Sequence, residues 1–151
     1  MLSTSSHVYS ELYVHLNWHC KHDRPMITAE LEGKLHQYIQ DYCEKCKGVR
    51  FIAIGGIRDH IHLLAQHEPF DLGAWVGKVK GSSSHELNAA MGRGTLQWQR
   101  GYGAVSFAKH DLDGLLKYVA NQKEHHAKGT INRTLEQCGI DEGGDDGSEE
   151  S

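Results

Sequence analysis

The chain has 151 residues, a length that suits one domain, and its 38% hydrophobic content supports a real but modest core. No stretch approaches the apolar length of a membrane span, and the polar start from Met1 to Tyr9 lacks the apolar centre of a secretion signal, so a cytoplasmic protein is expected. The net charge is −4, but six acids and no Lys or Arg fall in the tail from Asp141 to Ser151; the rest carries 16 basic against 14 acidic residues. Lys45, Lys47, Arg50 and Arg58, and further on Lys78, Lys80, Arg93, Arg100 and Lys109, give local positive excess. Such clusters can follow a phosphate backbone while the total stays negative. Any single lysine is better read as part of an ordinary solvated surface.

Val8 to Trp18 reads as a first strand, with Tyr9, Leu12, Val14 and Leu16 in mostly period-two spacing. After Asp23-Arg24-Pro25, Thr28 is placed to cap a helix running to about Cys46, with Leu31, Leu35, Tyr38, Ile39 and Tyr42 on one stripe. Val49 to Ile54 is a β-type run expected to end at Gly55-Gly56. A turn through Arg58-Asp59 leads into a strand from His60 to Gln66, giving an antiparallel hairpin. Asp71 caps a second long helix whose inner face holds Leu72, Trp75, Val76, Val79 and Ser83; Gly77, Gly81 and the serines at 82–84 weaken it and predict either a kink or a backbone contact there. Glycine-containing loop covers Met91 to Thr95, and Gln97 to Ala108 holds strand-like pieces. Asp111 is expected to cap a third helix through about His126, buried along Leu112, Leu115, Leu116 and Val119. Residues 131–139 suit a short extra helix, and the tail 141–151 a disordered acidic segment after a domain spanning 1–140.

This order of strand, helix, strand, strand, helix, strand, helix predicts an α+β fold: a ferredoxin-like (split βαβ) antiparallel sheet with flanking helices and an appended C-terminal helix. The architecture hosts many unrelated activities, so function must come from residues.

His60 and His62 are two apart on a strand and project to the same side, while Ile61 and Leu63 face the core. Two imidazoles on a rigid strand make half of a metal site; they equally make two surface histidines on the open face of a sheet, and with 12 histidines in the chain spacing alone does not choose. Tyr118 and Gln122 are four apart on the third helix and share a face that His125 extends. By itself Tyr118 reads as a half-buried packing tyrosine. Together the two features make chemical sense. A phenol with a pKa of about 10 is a poor nucleophile near neutral pH, unless a cation polarises the phosphate it attacks. Two imidazoles and an amide oxygen could hold Mg²⁺ or Mn²⁺ in an open site.

His60-Ile61-His62 resembles the histidine–hydrophobic–histidine motif of HUH endonucleases. Ile54-Gly55-Gly56 with Asp59-His60-Ile61-His62-Leu63-Leu64, Trp98-Gln99-Arg100-Gly101-Tyr102-Gly103, and the run from Tyr118 to His126 resemble the signature of the single-tyrosine insertion-sequence transposases, over roughly residues 8–130. The resemblance implies that Tyr118 takes a 5′-phosphate, that His60, His62 and Gln122 ligate the metal, and that the helix bearing Tyr118 is catalytic. It further implies single-stranded DNA with hairpins as substrate and a homodimer in which the tyrosine helix of one subunit can complete the metal site of the other. The acidic tail has no counterpart in that pattern.

Arg50, Arg58, Lys78, Lys80, Ser82, Ser83 and Ser84 are candidate contacts to DNA phosphates. Trp98 and Tyr102 could stack on a base but suit packing better, and His125 and His126 could support the site or cap the helix. Three rivals stand beside the transposase. A zinc site from Cys20, His22, Cys43 and Cys46 would need partners at opposite ends of a helix of roughly 27 Å at about 1.5 Å per residue. A non-catalytic nucleic-acid-binding module would use the same scaffold without covalent chemistry. A water-using nuclease would share the histidines but not need Tyr118.

Overall fold

The computed structural model describes residues 9–68 and 71–139. Four antiparallel strands, β1 (Leu12–His19), β2 (Val49–Ile57), β3 (His60–His67) and β4 (Gly103–Phe107), lie in the order β2-β3-β1-β4. Helix α1 (Ala29–Lys45) links β1 to β2, and α2 (Leu72–Met91) links β3 to β4; α3 (Leu112–Ala120), α4 (Gln122–Lys128) and α5 (Arg133–Glu136) follow. This is the split βαβ sheet with helices appended. Among the described residues no helix is long and apolar enough to cross a membrane. The acidic tail from Asp141 lies outside the described residues.

The first strand starts at Leu12 rather than Val8, and Tyr9 is exposed. Its inward residues are Val14, Leu16 and Trp18, which pair with Ala65, Leu63 and Ile61 of β3 on the same side of the sheet. Helix α1 lays Leu31, Leu35, Ile39 and Cys43 on that side, and α2 adds Trp75, Val76, Val79 and Leu87. Thr28 and Asp71 cap these helices as expected, their side chains accepting from the amides of Leu31 and Ala74. Helix α2 runs unbroken through its glycines and serines, and neither Gly77 nor Gly81 has a neighbour within 4 Å of where a Cβ would stand. The hydroxyls of Ser83 and Ser84 donate back to the carbonyl of Lys80.

β2 does not end at its glycines. It runs through them to Ile57, and a register shift between Phe51 and Ala53 changes which residues face the core. Phe51 lies opposite Ala65, and Ile54 opposite Leu63, so both pack on the core although they are three apart. The same shift turns Gly55, opposite His62, to the other face. There α3 lies so close that a Cβ on Gly55 would stand 2.0 Å from the carbonyl oxygen of Val119. The third helix is therefore packed on a strip of bare backbone.

Helices α3 to α5 cover this second face of the sheet. The third helix is shorter than expected: it stops at Ala120, and Asn121 (φ −107°, ψ 29°) separates it from α4. Asp111 makes no side-chain cap; a 3-10 turn over Lys109–Asp111 leads into α3. Lys123 holds α4 against β2 and α1 through the Gly56 carbonyl at 3.3 Å and the Glu32 carboxylate at 2.8 Å.

Replacing Gly55 by alanine should displace α3 and destabilise the protein by at least about 1–3 kcal/mol, the usual cost of overpacking. Gly33, exposed on α1 with nothing near its would-be Cβ, is the control: alanine there should stabilise by about 0.5–1 kcal/mol. Urea denaturation of both variants checks the contrast, and equal effects would remove the steric argument.

Candidate active site

The second face of the sheet is polar where it meets α3 to α5. Strand register sets His15, Asn17 and His19 of β1 against Leu64, His62 and His60 of β3. His15, Asn17, His60 and His62 are each at most 2% exposed. Burying four such groups is tolerable only when they have partners. His60 follows the turn at Arg58-Asp59, which is fixed from β1 and the α1 approach: the amides of Cys20 and Ile27 donate to the carbonyls of Asp59 and Arg58. Its Nδ1 lies 2.6 Å from Asp59 Oδ1, and His19 stacks flat on its ring at 4.6 Å. His62 Nδ1 lies 2.7 Å from His15 Nε2. Both outer nitrogens are thereby engaged, and the two Nε2 atoms face each other at 3.0 Å.

Two further groups converge on that point. His126 of α4 and Glu136 of α5 join His60 and His62 in a set whose ligand atoms all lie within 4.8 Å of one another. Glu136 Oε2 lies 2.7 Å from His62 Nε2 and 3.5 Å from His60 Nε2, and its Oε1 accepts from His126 Nε2 at 2.6 Å. Charge follows this geometry. Burial, then the proximity of His62, pushes His15 down to about 3, so that ring is neutral. Burial also disfavours the charged form of His60, but Asp59 and Glu136 outweigh it and raise that ring to about 9. Burial would raise Glu136, yet the hydrogen bonds of His60 and His62 hold its carboxyl far below the usual range.

Tyr118 sits in the last turn of α3, with its ring edge-on to His62 at 5.9 Å and tilted on His125 at 4.8 Å. Its hydroxyl accepts from the backbone amide of Asn132 at 2.9 Å, and burial raises its pKa above the usual 10.0, so it rests as a neutral phenol. The break at Asn121 makes Gln122 the first residue of α4. Its Nε2 donates to the Tyr118 carbonyl at 3.1 Å, while its Oε1, in a side chain only 1% exposed, is a buried acceptor without a partner.

Of the residues anticipated from sequence, His60 and His62 lie side by side, the ring of Tyr118 meets His62, and Gln122 is tied to the backbone of Tyr118. The phosphate candidates divide. Arg50, Arg58 and Lys78 are exposed. Lys80 points inward, its Nζ donating to the carbonyls of Gln99 and Gly101 at 2.7 and 2.8 Å. Ser83 and Ser84 are buried and Ser82 Oγ is shielded from solvent, so among these candidates Lys80, Ser83 and Ser84 of α2 are engaged within the fold. Trp98 packs edge-on against Trp18 and donates to Ser83 Oγ, a structural role. Cys20 and Cys43 are buried in the core, and no cysteine joins a metal-capable cluster among the described residues. Glu136, His15 and His19 were missed. The polar period of His15, Asn17 and His19, alternating with Leu16 and Trp18, was legible on β1; nothing in the sequence flagged Glu136, on a four-residue helix.

The sequence model of the family described as "Transposase IS200 like" matches residues 8–122, most of the chain. The chain belongs to the IS200-like transposase family. Two solved structures share its fold. A protein of Deinococcus radiodurans R1 assigned as a transposase aligns with a TM-score of 0.62 and 23% identity, over 81% of this chain and 98% of that one. A REP-associated tyrosine transposase bound to a REP hairpin aligns with a TM-score of 0.57 and 13% identity, over 86% and 76%. No curated protein matches the chain in sequence.

Burial brings the Lys80 amine down to about 8 from 10.5. As pH rises from about 8 to 10.5 the folded chain sheds this proton before the unfolded chain does, so stability should rise across that window. Urea midpoints of wild type and Lys80→Met should accordingly diverge in favour of wild type over that range. A constant gap would mean that the amine is not held in the fold.

Proposed function

We propose that this IS200-like transposase family member cleaves and rejoins single-stranded DNA through a 5′-phosphotyrosine on Tyr118, with a divalent metal, Mg²⁺ or Mn²⁺, held by His60, His62 and Gln122. The observation that carries the reading is the meeting of Tyr118 with the paired histidines, ring to ring at 5.9 Å, from elements more than fifty residues apart. The donor set suits a cation. The Nδ1 atoms are engaged, the Nε2 atoms converge, and the unpartnered Gln122 Oε1 is an acceptor in need of a positive partner. When bound, such a cation polarises the scissile phosphate and stabilises the charge that develops there.

The protein's own groups supply the rest. In the cut, Tyr118 Oη bonds to phosphorus and the bond from phosphorus to the 3′ oxygen breaks; the phenolic proton ends on that oxygen. The reverse attack by a 3′ hydroxyl reseals DNA and releases the phenol, so no nucleotide triphosphate is consumed. The Asn132 amide holds the phenol oxygen in place, and this hydrogen bond must open or shift as Oη reacts. Exposed Arg50, Arg58 and Lys78 are the proposed phosphate contacts. Hairpin DNA at the ends of an insertion sequence is the proposed substrate, a reading supported by the family and by the hairpin bound to the REP-associated relative. A homodimer is the proposed working unit, and within each chain the ring of Tyr118 already meets His62.

A second reading rests on the burial of Tyr118, whose residue is only 9% exposed. A non-catalytic DNA-binding descendant would keep such a tyrosine for packing. Purified protein incubated with Mg²⁺ or Mn²⁺ and hairpin-bearing single-stranded oligonucleotides separates the two. Wild type should give a denaturant-stable protein–DNA band, with none detectable for Tyr118→Phe or His60→Ala. Cleavage without adduct in Tyr118→Phe would mean that water is the nucleophile; binding without any adduct would favour the non-catalytic descendant.

A further inference from the structure

The segment from Asn132 to Gly139 follows the stretch matched by the family, which ends at residue 122. It is nevertheless seated on the sheet by specific hydrogen bonds and by a glycine that makes room for it. Asn17, buried on β1, donates through Nδ2 to the carbonyls of Leu135 at 2.9 Å and Gln137 at 2.8 Å. The Gly139 amide donates to the Tyr102 carbonyl at 3.2 Å. Gly103 leaves room for the Gln137 carbonyl, which would stand 1.9 Å from a Cβ placed there. Asn132 caps the short α5 through Oδ1 and holds Tyr118 through its backbone amide. The strap is thus built to one register, and that register delivers one charged side chain, Glu136, among the Nε2 atoms of His60, His62 and His126.

We propose that Glu136 and His126 are metal ligands of this chain, completing with His60 and His62 a site of three imidazoles and one carboxylate that the C-terminal strap closes. The inference rests on the metal reading above and extends it to two residues outside the family match. Four ligand atoms within 4.8 Å of one another, drawn from β3, α4 and α5, have the spread of a first coordination shell. One carboxylate against a divalent ion leaves the site with net positive charge for a phosphate. An ion held by these four would still accept oxygen ligands, the role that the reading above gives to Gln122 Oε1 and a phosphate oxygen. The set is rich in nitrogen, so it favours Mn²⁺ and other transition metals over Mg²⁺, which prefers an all-oxygen shell.

The test is binding, read without DNA. The full chain is stripped with EDTA and titrated with Mn²⁺, free ion being followed by electron paramagnetic resonance. Glu136→Gln, which keeps the side chain's size, and His126→Gln should each weaken Mn²⁺ at least about tenfold, the scale on which losing a partner at a metal site is felt. His60→Ala should bind least, and a large excess of Mg²⁺ should not displace Mn²⁺ from wild type. As a second readout, the rise in melting temperature that Mn²⁺ gives wild type should shrink in Glu136→Gln. If Glu136→Gln and His126→Gln bind as wild type, or more tightly, while His60→Ala fails, the strap carries no ligand and the metal reading stands without it. If wild type binds no Mn²⁺, both fall together.

Discussion

The close approach of α3 to the sheet over Gly55 is the constraint on which the site depends. With the Val119 carbonyl lying where a side chain would be, the helix has no freedom to rise or slide. Tyr118, one residue earlier, is fixed by the same contact at the height of His62. The register shift in β2 is its cause one level down: without it, Gly55 would face the α1–α2 core with Phe51 and a different side chain would meet α3. Sequence thus acts on chemistry through a backbone irregularity that carries no functional group. Small errors of placement matter at such a site, because reacting groups must meet within a narrow range of distance.

A row of histidines sealed between sheet and helices would ordinarily cost stability, since burial favours neutral rings and leaves few partners. Here the row is graded. His15 is neutral and serves His62; His60 is raised because it lies between two carboxylates; Glu136 is held ionised by the rings around it. The arrangement gathers one ionised carboxylate and three imidazole Nε2 atoms at one point beside a rigid strand, where a cation would have to displace the protons that now link them. A cation there would replace the mutual crowding of the Nε2 atoms with bonds, which is why the donor set and the strap are best understood together.

Much of this was legible in the sequence. Helix caps at Thr28 and Asp71, the apolar stripe of α1 and the hairpin through Asp59 follow from local chemistry, and the structure has them. The pairing of His60 with His62 on one face follows from the period of a strand alone. The rest depended on information that is not local. β2 was expected to stop at two glycines, because glycine weakens a strand, but cross-strand pairing carries the chain through and the missing side chains become the seat of α3. The third helix was read as continuous because its apolar period does not register that Asn121 leaves helical geometry. Lys80 was read as a candidate phosphate contact; its direction is set by loop carbonyls of Gln99 and Gly101, which no helical period reveals.

Glu136 is the extreme case, and it shows where such reading ends. It lies on a helix of four residues, seventy-four positions from His62, in a segment with little apolar pattern. What places it is a set of small accommodations elsewhere: an asparagine on β1 offering two donated hydrogen bonds, a glycine on β4 leaving room for a carbonyl, an amide that finds the hydroxyl of Tyr118. Each is ordinary by itself. Because all of them act on one short strap, they make the tyrosine and the histidine cluster answer to the same segment, so any movement of the strap that frees the phenol oxygen also shifts the carboxylate at the cluster. On the proposed reading, access of DNA to Tyr118 and the composition of the cluster beside it are therefore coupled by the backbone from Asn132 to Gln137.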